Sequence, residues 1–149
     1  MFKRKTQKTT KFNMTNYSII KNIKRRRFAF LDDTANFYTS KNRGTKDFIC
    51  NYSATKNSPG CAIGRHLFTN VAEILDNLGN IVLIFSDGYD HLLPKWMREM
   101  GQEFLSAVQC LHDDARIIKT ENSESFWDKT GLTKTGKEQY EYIKIKYCI

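Results

Sequence analysis

Ile19, Ile20 and Ile23 fall on one helical stripe, and Phe30, Leu31, Ala35, Phe37 and Tyr38 extend the apolar character further along the chain. Thr15 or Asn16 suits the N-cap. The pattern predicts one long helix, or two, ending by residues 38–42 ahead of an Arg43-Gly44 turn. Residues 1–13 are polar, rich in Lys and Thr, and without helical period, so they read as a disordered arm. Residues 48–53 read as a short strand, with Phe48, Cys50 and Tyr52 on one face. The run TKNSPG then reverses the chain, because Asn, Ser, Pro and Gly are turn formers. CAIG returns either as the partner strand of a hairpin or as the first turn of a helix. Four residues are too few for periodicity to separate the two.

Val71, Ile74, Leu75 and Leu78 predict a helix from about Asn70, stopped by Gly79. NIVLIF reads as a buried strand ended by the turn SDGYD. Pro94 opens another helix at its first turn, with Trp96, Met97 and Met100 at helical spacing. Residues 102–115 are the clearest amphipathic segment, with Phe104, Leu105, Val108, Leu111 and Ala115 as the stripe. KTENSES is a loop. FWDKTG leads to a last helix from Thr133, with Tyr140, Ile143 and Tyr147 inward. No repeat with a period of 20–50 residues appears. The expected fold is α+β, a mainly helical single domain over residues 14–149 with a short β-hairpin or small sheet.

Composition supports a packed core: 149 residues, 40% hydrophobic and 13% aromatic. The longest apolar run, residues 81–85, is far too short to span a membrane, so no membrane partner is expected. No apolar stretch follows the charged N-terminus, so no signal peptide is expected either. Cys50, Cys61, Cys110 and Cys148 are irregularly spaced, which suits reduced thiols in a cytoplasm.

The net charge of +8 invites a nucleic-acid reading, but its location changes the picture. Residues 1–27 carry ten Lys and Arg and no acid, leaving 14 basic against 16 acidic residues in the rest. The basicity belongs to an N-terminal extension that would hold phosphate polymers in a salt-sensitive way, with Lys24, Arg25, Arg26 and Arg27 as its densest cluster.

Several residues could carry chemistry. Cys61 follows Pro-Gly; at a helix N-terminus its thiolate would be favoured by the dipole and by Arg65. His112 could then be its base, although Asp113, its neighbour in sequence, is awkwardly placed to orient it. The alternative is that residues 61–64 are small because backbones pack closely there. Zinc is disfavoured: Cys110 and His112 point to different sides of one helix, and no tight ligand pair exists. No metal or cofactor is expected. Gln109, His112 and Asp113 share a helix face and offer donors and acceptors suited to a sugar hydroxyl or a base edge. They could equally form a self-satisfied network. Arg65 and His66 could meet an anion, or Arg65 could simply pair with an acid. No P-loop, dinucleotide-binding, zinc-protease or serine-hydrolase motif is present.

CNY…GCAIGRHL, LPKWM…FLSAVQCLHDD and FWDKTGLTKTG occur in that order. Together they resemble a group of small phage and prophage proteins. These carry a C-A-[IV]-G segment after a short hairpin and a late L-Q-x-[IL]-H-D helix, often followed by a Trp and a final G-L-x-x-x-G helix. The resemblance spans residues 28–145, with Cys61, Gly64, Arg65, Gln109, His112 and Asp113 as matching positions. It implies an accessory protein of a mobile element in a bacterial cytoplasm, and supplies no catalytic residue. The leading expectation is binding of an anionic small molecule such as a nucleotide by Cys61, Arg65, His66, Gln109, His112 and Asp113, as a counter-defence protein that sequesters a host immune signal. The alternatives are a protein inhibitor of a host factor, a Cys-dependent enzyme, and nucleic-acid binding through the basic N-terminus.

Overall fold

The first apolar stripe folds as a single helix, α1 (Asn16–Phe37), in a computed structural model that describes residues 16–43, 51–56, 58–119 and 124–149. The expected arm, residues 1–13, lies outside the described residues. The stripe is used unevenly. Phe30, Leu31 and Thr34 are buried, whereas Ile19 and Ile20 remain 46% and 52% exposed, because the body covers α1 only from its middle onward. Arg27 marks the boundary. Its Nε donates to the Met100 carbonyl at 2.9 Å, and its guanidinium lies 5.4 Å from the Phe104 and Tyr147 rings.

Residues 48–50 of the expected hairpin lie outside the described residues, and among the described ones no strand pair forms: residues 51–53 are not in a strand, and the two arms share an isolated bridge from Thr55 to Ser58 and a hydrogen bond from Cys61 N to Asn51 O at 2.8 Å. The physical reason is competition for backbone donors. Asp76 Oδ1 accepts from Tyr52 N at 2.7 Å and from Ser53 N at 3.3 Å, and Asp76 Oδ2 pairs with the Ser53 hydroxyl. CAIG becomes neither a strand nor an α-helix but leads into a 3-10 turn, Gly64–His66. Gly60 and Gly64 lie directly on the Tyr52 backbone, where a Cβ on Gly64 would overlap the Tyr52 carbonyl. Close packing is therefore the reason for the small residues in this run.

NIVLIF is also corrected: it is helix α3 (Ile81–Ser86), not a strand. The Asn80 side chain caps it by accepting from Leu83 N at 3.0 Å. Ile81 and Ile84 are buried while Val82 and Leu83 are exposed, a helical spacing hidden inside an all-apolar run. It follows α2 (Thr69–Asp76) after a reversal at Gly79, whose φ is 101°. Helix α4 (Lys95–Arg98) begins just after Pro94 and contributes the buried Met97.

Helix α5 (Gln102–His112) is the central element, packing against α1, α3 and the last helix, α6 (Lys134–Lys146). Phe104, Leu105, Ala107, Val108 and Leu111 form its buried stripe. It ends in a Schellman motif: Ala115 N donates to Cys110 O at 2.8 Å, and Asp114 N to Leu111 O at 3.4 Å. Asp114 takes the left-handed conformation this requires, with φ of 62°. Its carboxylate offsets the cost by accepting from Phe126 N at 2.9 Å and Ser125 Oγ at 2.6 Å. The sheet of the fold lies here instead: β1 (Trp127–Asp128) pairs antiparallel with β2 (Gly131–Leu132). Asp128 Oδ1 holds the turn by accepting from Thr130 N at 2.7 Å. Thr133 caps α6 by accepting from Gly136 N at 3.2 Å. The result is a mainly helical α+β domain with one two-stranded sheet among the described residues. No helix among the described residues is long and apolar enough to cross a membrane.

Gly64→Ala forces a methyl group onto the Tyr52 carbonyl, so we expect a loss of about 1–3 kcal/mol, the usual range for overpacking. Thermal or urea unfolding of the variant measures it.

Candidate functional site

Tyr38 divides the candidate residues into two groups. This buried residue follows the last turn of α1 and donates its hydroxyl to the Gly60 carbonyl at 2.8 Å. Its ring meets the His112 ring edge-to-face, with centroids 4.5 Å apart. The Arg65 guanidinium lies 5.8 Å from the same ring.

On one side are Arg65 and His66. Arg65 forms an ion pair with Asp33 of α1 and stacks 3.8 Å over the Phe37 ring. The salt-bridge alternative is thus realised in the fold, and burial lowers the affinity of this guanidinium for its proton. His66 packs between Phe30 and Trp96, with centroids at 5.3 and 6.0 Å. Burial, and then the neighbouring Arg65 charge, push its pKa down to about 4. Asp33 lies 3.6 Å from His66 Nε2, but its charge is already met by Arg65. His66 is therefore a neutral ring at physiological pH.

On the other side are Gln109, His112 and Asp113, at the end of α5. Asp113 Oδ1 receives His112 Nδ1 at 2.7 Å, despite their adjacency in sequence, because Asp113 is the C-cap and has left the helical spiral. A carboxylate only accepts, so Nδ1 carries the ring proton. Gln109 Nε2 donates to both Asp113 oxygens at 3.0 Å. These contacts fix the amide orientation, since the reversed amide would set oxygen against oxygen. An acid at a helix C-terminus opposes the dipole. The two donors offset this, as does Arg43, whose Nη1 donates to the His112 carbonyl at 2.8 Å and whose charge acts on Asp113.

Gln109, Cys110 and Asp113 line a cleft of about 460 Å³ between α5 and the α2–α3 corner, where Asp76 and Asn80 face them. Gln109 Oε1 and His112 Nε2 are buried atoms with no hydrogen-bond partner. Cys110 sits half-buried on the rim rather than in the core; burial, and next the Asp113 charge, push its thiol upward. Neither Arg65 nor His66 lines this cleft. Cys61 does not either: the residue is 1% exposed and its thiol accepts from Gly64 N at 3.4 Å. The helix expected behind Cys61 is only a three-residue 3-10 turn, so the dipole argument for a thiolate lapses.

The basic cluster is likewise split. Arg27 is withdrawn into the body, and Arg26 pairs with Glu99 at 3.2 Å. Lys24 and Arg25 are exposed and have no ion pair among the described residues. Among those residues, no three His, Cys, Asp or Glu side chains converge as metal ligands. Sequence reasoning missed Tyr38, Asp33, Asp76 and Asn80. Tyr38 is one aromatic among many, and Asp33 and Asp76 act on residues far off in sequence; Asn80, just before an apolar run, acts locally and carried a capping signal. No known protein family, curated protein or solved structure matches this chain.

The depressed His66 pKa has a definite sign. Between about 4 and 6.5 the unfolded chain binds more protons than the folded one, so stability rises with pH there and falls on acidification. His66→Gln should flatten that part of the profile relative to the parent protein. Urea unfolding of both proteins across the window measures the difference, and parallel profiles would contradict the assignment.

Proposed function

We propose that this chain is a nucleotide-binding accessory protein of the phage type, acting by sequestering a host signal. The ligand's base edge occupies the cleft between α5 and the α2–α3 corner. The observation that carries this reading is Gln109: it lines the cleft, is 5% exposed, and keeps an unpartnered Oε1 beside Asp113. Buried polar atoms are nearly always satisfied, so an acceptor without a donor beside a cavity of this size suits a bound group with N–H or O–H to give.

The charges in the cleft favour one orientation of such a ligand. Its charged lining residues are Asp76 and Asp113, both acids, so a phosphate does not lie inside it. An adjoining hollow shares Val82, Ser106 and Cys110 with the cleft and adds Lys146 together with Glu103, so the anionic end would rest on Lys146, on the side away from Asp76 and Asp113 but against the charge of Glu103. Sequestration is favoured over turnover by burial, since Cys61 and His112 are closed off from solvent.

Isothermal titration with a panel of mono-, di- and cyclic nucleotides tests the reading. Gln109→Leu, checked for its fold by circular dichroism, should weaken binding about tenfold or more, the scale of one lost hydrogen bond at a buried site. Folded protein that binds nothing in the panel would sink the proposal.

A further inference from the structure

Each polar atom of the cleft between α5 and the α2–α3 corner has a different capacity left over from the fold. Asp113 Oδ1 accepts from both His112 Nδ1 and Gln109 Nε2, which fills its lone pairs, whereas Asp113 Oδ2 accepts from Gln109 Nε2 alone. Gln109 Oε1 accepts from nothing, although the residue is only 5% exposed. Across the cleft, Asp76 Oδ1 is filled by Tyr52 N and Ser53 N, and Asp76 Oδ2 takes one bond from the Ser53 hydroxyl. Asp113 Oδ2, Gln109 Oε1 and Asp76 Oδ2 therefore keep room for a donor.

Side-chain donors are scarcer. The Asn80 amide is fixed in orientation, since its Oδ1 accepts from Leu83 N to cap α3. Its Nδ2 is then a donor on the cleft wall with no side-chain or backbone partner among the described residues. The Ser106 hydroxyl is already engaged with the Cys110 thiol. The cleft thus matches a ligand edge with several N–H groups beside a single acceptor.

The nucleobases differ in this respect. Guanine sets N1–H and N2–H₂ side by side, next to one acceptor, O6. Adenine sets N6–H₂ next to an N1 lone pair, cytosine sets N4–H₂ next to the N3 and O2 lone pairs, and uracil has one N–H between two carbonyls. Each of these three turns a lone pair toward carboxylate or amide oxygen and leaves an acceptor of the cleft without a partner, which is costly at a buried site.

We propose that the cleft selects guanine, with N1–H and N2–H₂ meeting the open acceptors of Gln109, Asp113 and Asp76, and O6 meeting Asn80 Nδ2. Selection of this kind rests on the nucleotide reading of the cleft and makes Asn80 a specificity-determining residue. Isothermal titration of the full chain with the 5′-monophosphates GMP, IMP, AMP, CMP and UMP isolates the base, because sugar and phosphate are kept alike. IMP lacks only the 2-amino group and should bind about tenfold or more weakly than GMP, the scale of one acceptor left unpaired. AMP, CMP and UMP should fall about a hundredfold or more below GMP, because a site built around hydrogen bonds rejects ligands that lack them.

Asn80→Asp keeps the cap, since Asp serves as well as Asn at that position, but puts an acceptor where the donor was. The added negative charge weakens every nucleotide, so the readout is the GMP-to-AMP affinity ratio, which should fall about tenfold or more. Thermal unfolding close to that of the parent confirms that the cap is intact. IMP binding as tightly as GMP would overturn the selection; if Gln109→Leu still weakens both, the nucleotide cleft itself stands. A preference for AMP would overturn it too, as would an unchanged ratio in folded Asn80→Asp. No binding by any of these nucleotides would overturn the nucleotide reading and the selection with it.

Discussion

The buried phenol of Tyr38 is the contact on which the arrangement of the other parts depends. It closes α1 against three pieces of chain that share no sequence neighbourhood. Its hydroxyl holds Gly60, its ring edge meets His112, and it lies 6.2 Å from the Trp127 ring of the small sheet. Trp127 in turn donates its indole N–H to the Leu111 carbonyl at 2.9 Å. A long helix, a glycine loop, the end of α5 and a hairpin thus converge on one aromatic cluster. Such a residue stabilises by area and by geometry together, since a buried aromatic contributes both apolar surface and directed ring contacts.

This convergence explains how the polar side chains of each segment are apportioned between support and exposure. Arg65 and His66 brace the loop onto α1 through Asp33 and neighbouring rings, while Arg65 Nε and His66 Nε2 are buried without a hydrogen-bond partner. Gln109 and Asp113 are braced as well, but from behind, by His112 and the cap of α5. Their remaining faces look onto the cleft. The difference lies in which side of Tyr38 each group occupies.

Amphipathic periodicity made α1, α2, α5 and α6 legible, because each has a stripe that must be buried. It failed where every residue is apolar. Residues 81–85 offer a strand and a helix equally, and the Asn80 cap decides between them. It failed again at residues 51–53, whose alternation suits a strand but where the Tyr52 and Ser53 N–H groups go to Asp76, more than twenty residues away. The helix-face reading of Gln109, His112 and Asp113 identified a real cluster, since i, i+3 and i+4 spacing is local. What periodicity could not supply was the position of Arg65 relative to it. That is fixed by Tyr38 and Asp33, contacts between distant segments that no local pattern encodes.

The uneven cover of α1 has a consequence for its dynamics. Its second half is locked by Phe30, Leu31 and Thr34, while residues 19–25 bury no side chain and rest largely on local helix propensity, the exposed Arg26–Glu99 pair marking the edge of the body. Short helical segments without tertiary support are marginal in water. Amide protons along this one helix should therefore exchange on two scales, fast in the projecting turns and at the rate of global opening beyond residue 30. One continuous helix is then two cooperative units, and only the second belongs to the folding unit of the domain.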